Sequence, residues 1–260
     1  MSVLSVKNLN ASYGAKNILA GVSFDLQQGE FVCLCGPNGS GKSTLLSIMA
    51  GVNSAAKVDF AGVNYITDSG ECVVASNLPR KECAKIISYM QQNEYSVWNF
   101  SVFDFVLQGR FAYSKNAHYS KQDYQIVENV LLELGLSSFK EREVHSLSGG
   151  EFQKVRIARS LAQTPQFMLL DEPAANLDYV FEPQLLSLLS KISHEKNIGI
   201  LITIHDINLA NKYADIIILL PPKKNVILGK PADIMNTENL KTTFGVDFEC
   251  KETKSFQSLQ

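Results

Sequence analysis

Apolar residues recur along the chain in two periods. Alternating positions over residues 3–9 and 22–26 predict two strands, with 12–17 as the turn region between them. A third strand, Phe31–Cys35, runs into a glycine-rich turn, and Leu45, Leu46, Ile48 and Met49 follow it at helical spacing. Phe167–Leu170 is a short, wholly apolar run, the pattern of a strand buried on both faces of a parallel sheet. Downstream, strands over 198–204 and 216–220 alternate with helices over 185–192 and 207–213, which predicts a parallel α/β sheet. From 101 to 136 the spacing is three and four: Val102, Phe105 and Val106, then Ile126, Val130, Leu131 and Leu134 predict a separate helical lobe with 113–122 as its inner loop. Signals over 52–77 are weak, with strands expected at 58–60 and 72–74; a helix start at 79–83 and a strand at 86–90 then lead into Gln91 and Gln92. Pro221 and Pro222 break the alternation, leaving one strand at 226–228, a helix at 231–235 and a polar tail.

Composition narrows this picture modestly. At 260 residues and 45% hydrophobic content the chain can bury a full core, as one large α/β domain or a core with a subdomain. A formal net charge of −2 with no polybasic block supplies no electrostatic footprint for nucleic acid, and no nucleic-acid partner is expected. No apolar run approaches the ~18 residues of a membrane span. The first residues lack the basic and long apolar regions of a secretory signal, which predicts a cytoplasmic chain. Five scattered cysteines, an odd number, suit reduced thiols. Cys33 and Cys35 have the spacing of a metal pair, but alternate positions on a buried strand account for them as two small apolar side chains on one face.

The chemistry is concentrated where apolar runs end. After Phe31–Cys35 stands Gly36-Pro37-Asn38-Gly39-Ser40-Gly41-Lys42-Ser43-Thr44, a phosphate-binding loop. Gly36, Gly39 and Gly41 let the backbone adopt positive φ and bring N–H groups to phosphate oxygens. The helix N-terminus favours an anion, Lys42 adds charge, and the Ser43 hydroxyl suits Mg²⁺. Asp171 and Glu172 sit at the tip of Phe167–Leu170, where one acid can hold a metal through water and its neighbour can orient or deprotonate an attacking water. Residues 147–151 form a polar glycine turn opening a helix over 152–162, a second N-terminus suited to anions. Tyr13 beside the first turn offers a face for adenine or simply packs at a strand end.

In this order the motifs resemble the ATP-binding cassette of ABC transporters, nearly end to end. Residues 36–43 resemble the Walker A loop, 147–151 the ABC signature, Phe167 to Asp171 the Walker B strand with Glu172 after it, and 175–178 the D-loop; His205 resembles the switch histidine and Gln92 the Q-loop glutamine. The resemblance implies an α/β P-loop NTPase cassette with a RecA-like core, an antiparallel β subdomain and a helical subdomain. It divides a single 1–260 domain into 1–92 and 146–222 as core with the β subdomain, 93–145 as the helical signature subdomain, and 223–260 as a C-terminal extension. It also implies ATP and Mg²⁺: Tyr13 and residues Gly36 to Thr44 on the nucleotide, Ser43, Gln92 and Asp171 toward the metal, and Glu172, His205, Gln92 and Lys42 in hydrolysis. Ser148, Gly149, Gly150 and Asp178 are then expected to close over the nucleotide of a second copy in a head-to-tail homodimer. His118, His145 and His194 match no motif and default to the surface. Two positions depart from the pattern: Glu151 stands where the family usually has Gln, and Gln91 where close relatives often have Pro.

Within the family, the stretches 100–113, 203–210, 229–240 and 244–248 resemble ATPases of bacterial importers for iron–siderophore, haem or cobalamin, with zinc and manganese importers as near neighbours. That resemblance implies docking on a separate membrane permease at the cytoplasmic face of the cell membrane, with a substrate-binding protein on the other side. Trp98, Phe100 and Phe103 are candidates to line the docking cleft or, equally, ordinary core residues of an amphipathic helix.

Overall fold

Two sheets organise the computed structural model, which describes residues 1–53, 57–59, 62–94, 98–116, 118–175, 177, 180–222, 225–250 and 256–258. The chain opens with a hairpin, β1 (Val3–Tyr13) and β2 (Lys16–Gln27). β3 (Phe31–Cys35) then feeds the glycine loop and helix α1 (Lys42–Met49). Three short strands, β4 (Lys57–Asp59), β5 (Val63–Ile66) and β6 (Cys72–Val74), precede α2 (Arg80–Ile86) and β7 (Ile87–Met90). The helical part holds α3 (Val102–Leu107), a 3-10 segment Gln108–Tyr113 and α4 (Lys121–Glu133), and α5 (Gly149–Ala162) leads back toward the central sheet. Strand and helix then alternate through β8 (Phe167–Leu170), α6 (Phe181–Lys196), β9 (Gly199–Thr203), α7 (Ile207–Tyr213) and β10 (Ile216–Leu219). β11 (Ile227–Gly229), α8 (Pro231–Ile234), α9 (Thr237–Phe244) and a hairpin of β12 (Phe248–Cys250) with β13 (Phe256–Ser258) complete it.

The central sheet has the order β11-β10-β3-β9-β8-β7, parallel except at the β10/β11 edge. Both of its faces are covered, which is why β8 is apolar at every position and wholly buried. One face carries Cys33, Cys35, Met168, Leu170, Ile200 and Ile202 against the helices; the other carries Val32, Leu34, Phe167, Leu169 and Leu201 against α1 and the antiparallel sheet. Cys33 and Cys35 are free, fully buried and on one face, as strand alternation requires. Burial pushes the Cys35 thiol up to about 12 and Cys33 also far above the ordinary thiol range. The second sheet is antiparallel, ordered β2-β1-β5-β6 with β4 also on β1.

Several expectations need correction. The stretch beyond 235 is not a polar tail: α9, capped by the Asn236 side chain and ended by Gly245 at φ 75°, seats Leu240 in the core and buries Thr243. The expected strand at 58–60 is described only to Asp59; Phe60 lies outside the described residues. The glycines at 149 and 150 do not form a turn before the helix but are its first residues, because Ser148 is the N-cap.

The helical lobe is pinned to α5 by a close backbone crossing. A Cβ placed on Gly109 would lie 2.3 Å from the Arg159 carbonyl oxygen. Beside it the buried Arg110 donates to Asp123 at 2.8 Å, to the Ala162 carbonyl at 2.9 Å and to Thr164 at 2.9 Å, and stacks on Tyr113 at 3.7 Å. Gly109→Ala must therefore displace backbone. The expected cost is about 2–3 kcal/mol, or roughly 4–12 °C in melting midpoint by circular dichroism; an unchanged midpoint would show that the crossing relaxes freely.

Candidate nucleotide site

The loop between β3 and α1 is closed from the inside. The side chain of Lys42, 6% exposed, turns back so that its ammonium donates to the carbonyls of Gly36 at 2.8 Å and Pro37 at 3.2 Å. Gly39 and Gly41 take positive φ, 78° and 103°, as the turn requires. Gly36 does not; it is small for another reason, since a Cβ there would meet the Leu220 carbonyl at 2.7 Å and Ser40 Oγ at 2.8 Å. No side chain caps the N-terminus of α1, so the first N–H groups of that helix remain available to an anion. The buried Ser40 hydroxyl has no hydrogen-bond partner, an orphan donor inside the loop. Burial lowers the Lys42 pKa, while Glu172, Cys35 and Asp171 oppose that shift.

The carboxyl end of β8 supplies the opposing wall. Asp171, 2% exposed, accepts from the Thr203 hydroxyl at 2.8 Å, and the same hydroxyl accepts from the Glu172 N–H at 2.7 Å. Thr203 thus fixes both acids from the tip of the neighbouring strand, a role that only the lone hydroxyl in an apolar strand run hinted at. Glu172 has φ 48°, a left-handed conformation that costs an ordinary residue about 1–3 kcal/mol and is retained here by its contacts. Its Oε2 accepts from Gln92 Nε2 at 2.5 Å and its Oε1 from His205 Nε2 at 2.8 Å. Gln92, Glu172 and His205 face Asn38, Lys42, Ser43 and Thr44 across a cavity of about 540 Å³, also lined by Lys16 and Ile18. Neither Lys16 nor Ile18 was picked out by motif reasoning. Tyr13 ends β1 beside that hairpin and accepts from Asn53 Nδ2 at 2.7 Å, but it is not among the lining residues.

The signature residues lie elsewhere. Ser148 and Gly150 line a different cavity of about 300 Å³ with Leu177 and Phe181. A single chain therefore does not bring them to the Lys42 cavity. Ser148 and Glu151 form a capping box: the Glu151 N–H donates to the Ser148 hydroxyl at 3.3 Å, and the Ser148 hydroxyl and N–H both donate to Glu151 Oε2, at 2.7 and 2.8 Å. Those two bonds hold the Glu151 carboxyl below its ordinary range. Asp178 lies outside the described residues. Of the docking candidates, Phe100 and Phe103 pack on the helical core, Phe103 stacking on Tyr124 at 6.0 Å, whereas Trp98 is 72% exposed. His118 and His145 are exposed; His194, also exposed, pairs with Asp215 at 2.8 Å.

A phosphate-loop site at the carboxyl edge of a parallel sheet, flanked by an antiparallel sheet and a helical lobe, defines an ATP-binding cassette ATPase. The ABC transporter family profile matches residues 19–175, more than half of the chain. The chain belongs to the ABC transporter family. It is 37% identical to an ABC transporter ATP-binding protein of Methanocaldococcus jannaschii, covering 95% of this chain and 93% of that one. It is 31% identical to the iron(3+)-hydroxamate import ATP-binding protein FhuC of Bacillus subtilis, covering 96% and 90%. Among solved structures it is similar to a metal-chelate type ABC transporter in an inward-facing conformation, with TM-score 0.80, 28% identity and coverage of 100% and 98%.

Proposed function

We propose that this chain is the ATP-hydrolysing subunit that powers an importer for an iron–siderophore or related metal chelate, acting as a homodimer on the cytoplasmic side of a membrane permease that receives its cargo from a separate binding protein. The similarity to an iron(3+)-hydroxamate import subunit and to a metal-chelate transporter supports the cargo class. Among the described residues no helix is long and apolar enough to cross a membrane, so the membrane passage is assigned to the permease.

One observation carries the hydrolytic reading: a carboxylate held by an amide and an imidazole faces the buried lysine of a phosphate loop across one cavity. Lys42 neutralises phosphate charge, and the open N-terminus of α1 binds the remaining oxygens. Glu172 accepts the proton of the attacking water at a carboxylate oxygen, while Gln92 and His205 hold it in orientation. Ser43 and Gln92 at the cavity wall, with Asp171 buried behind it, would supply the hard oxygen donors that suit Mg²⁺. Among the described residues no group of three or more His, Cys, Asp or Glu is placed to hold a metal ion. When bound, the ion would neutralise phosphate charge.

Uptake decides the cargo. The chain, co-expressed with its neighbouring permease genes and reconstituted in vesicles with the matching binding protein, is expected to drive ATP-dependent accumulation of radiolabelled iron(III)-hydroxamate; accumulation of free zinc in its place would move the assignment to the metal-ion importers. The separate location of Ser148 supports a site completed by a second copy. Turnover per chain is accordingly expected to fall at least about tenfold on dilution below the dimer range. A rate per chain that stays constant through that range would count against the dimer.

A further inference from the structure

The segment that carries Gln92 is tied to α5 by a cluster of charges outside the nucleotide cavity. Glu94, 17% exposed at its side chain, receives Arg159 at 2.5 and 2.7 Å and Arg156 Nε at 3.3 Å. The Arg156 side chain, 5% exposed, donates to the Gln91 carbonyl, to the Gln92 carbonyl at 3.5 Å, and to Gln153 Oε1 at 2.8 Å. Gln153 in turn donates to the carbonyl of Pro173, the residue after Glu172. One guanidinium thus reaches both flanks of the Gln92–Glu172 contact, the first directly and the second through Gln153. Glu94 is what allows it to stay there, because without that carboxylate a buried and a half-buried guanidinium would stand side by side without this counter-charge.

We propose that Glu94 is a positioning residue: by orienting Arg156 it clamps the Gln91–Gln92 backbone to α5 and so sets where the Gln92 amide meets Glu172. The clamp rests on the hydrolytic reading above for its consequence in turnover, and on the geometry alone for its grip on the loop. It acts through Gln92, so its effect vanishes once the Gln92 amide is gone.

The test uses the full chain with MgATP and, separately, hydrogen exchange of residues 91–94 without nucleotide. Glu94→Gln is expected to speed exchange in that segment about tenfold. It should cut kcat about tenfold with KM for ATP within about twofold. In a Gln92→Ala background the same substitution is expected to change kcat by less than about twofold, since the two act as one unit. Wild-type kcat in Glu94→Gln, or losses that multiply in the double variant, would overturn the proposal. If Glu94→Gln fails to fold, Arg156→Lys keeps the charge but loses the fork, and the same pattern of kcat and non-additivity is required of it. If the wild-type chain itself hydrolyses no ATP, the hydrolytic reading fails, and the exchange measurement alone then decides the clamp: faster exchange supports it, unchanged exchange removes it.

Discussion

Replacing Glu172 by Gln is expected to lower kcat by about 10²–10³-fold while ATP binds within a few-fold of wild type, the range associated with loss of a general base. The substitution preserves shape while it removes the negative charge and exchanges one acceptor oxygen for an NH2 donor. Wild-type Glu172 accepts one hydrogen bond from Gln92 and one from His205. An amide offers one acceptor oxygen and one donor NH2 group, so Gln92 can keep its bond, and His205 can answer the new N–H by presenting Nε2 as the acceptor. The network therefore survives in the variant, and what disappears is the group able to take a proton from water. With hydrolysis blocked, ATP should also hold two copies together, visible as a nucleotide-dependent dimer in size-exclusion chromatography. Phosphate release measured beside a fluorescent-ATP titration separates the two effects. Undiminished turnover in Glu172→Gln would remove this residue from its role.

How far the sequence reaches can be read from particular residues. Phe167–Leu170 is legible because a strand covered on both faces has no polar position to disguise it, and the acids at its tip follow directly. The loop from Gly36 to Thr44 is legible because its chemistry is local: glycine, lysine and hydroxyl act within a few residues of each other. α9 is not, because it buries a threonine in place of a second apolar residue; the Thr243 hydroxyl donates to the Asn239 carbonyl at 2.8 Å and so enters the interior already satisfied. The first turn of α5 carries a local signal that differs from the expected glycine turn. Ser148 followed three residues later by Glu151 is a capping box, and it starts the helix at the glycines rather than after them. Glu94, Arg156 and Arg159 meet from positions more than 60 apart, and no local pattern announces that meeting.

The same division between local and distant contacts fixes what Lys42→Met should do. Methionine keeps the apolar stem packed in the loop and removes only the ammonium, so the fold is expected to stand. What is lost is the ammonium that donates to the carbonyls of Gly36 and Pro37 and that would face the oxygens of a bound triphosphate. A hydrogen bond from a charged group is worth about 1.5–3 kcal/mol, so ATP affinity is expected to fall on the order of 100-fold. ADP, with less charge to neutralise, should lose less. This pattern is the reverse of the one for Glu172→Gln: Lys42→Met weakens binding, and Glu172→Gln spares binding but stops turnover. Isothermal titration of both nucleotides into both variants distinguishes them. If Lys42→Met bound ATP as tightly as wild type, the cavity between the glycine loop and the Glu172 carboxylate would not be where the triphosphate sits, and the assignments of Glu172, Gln92 and His205 would go with it, since each rests on facing that ligand.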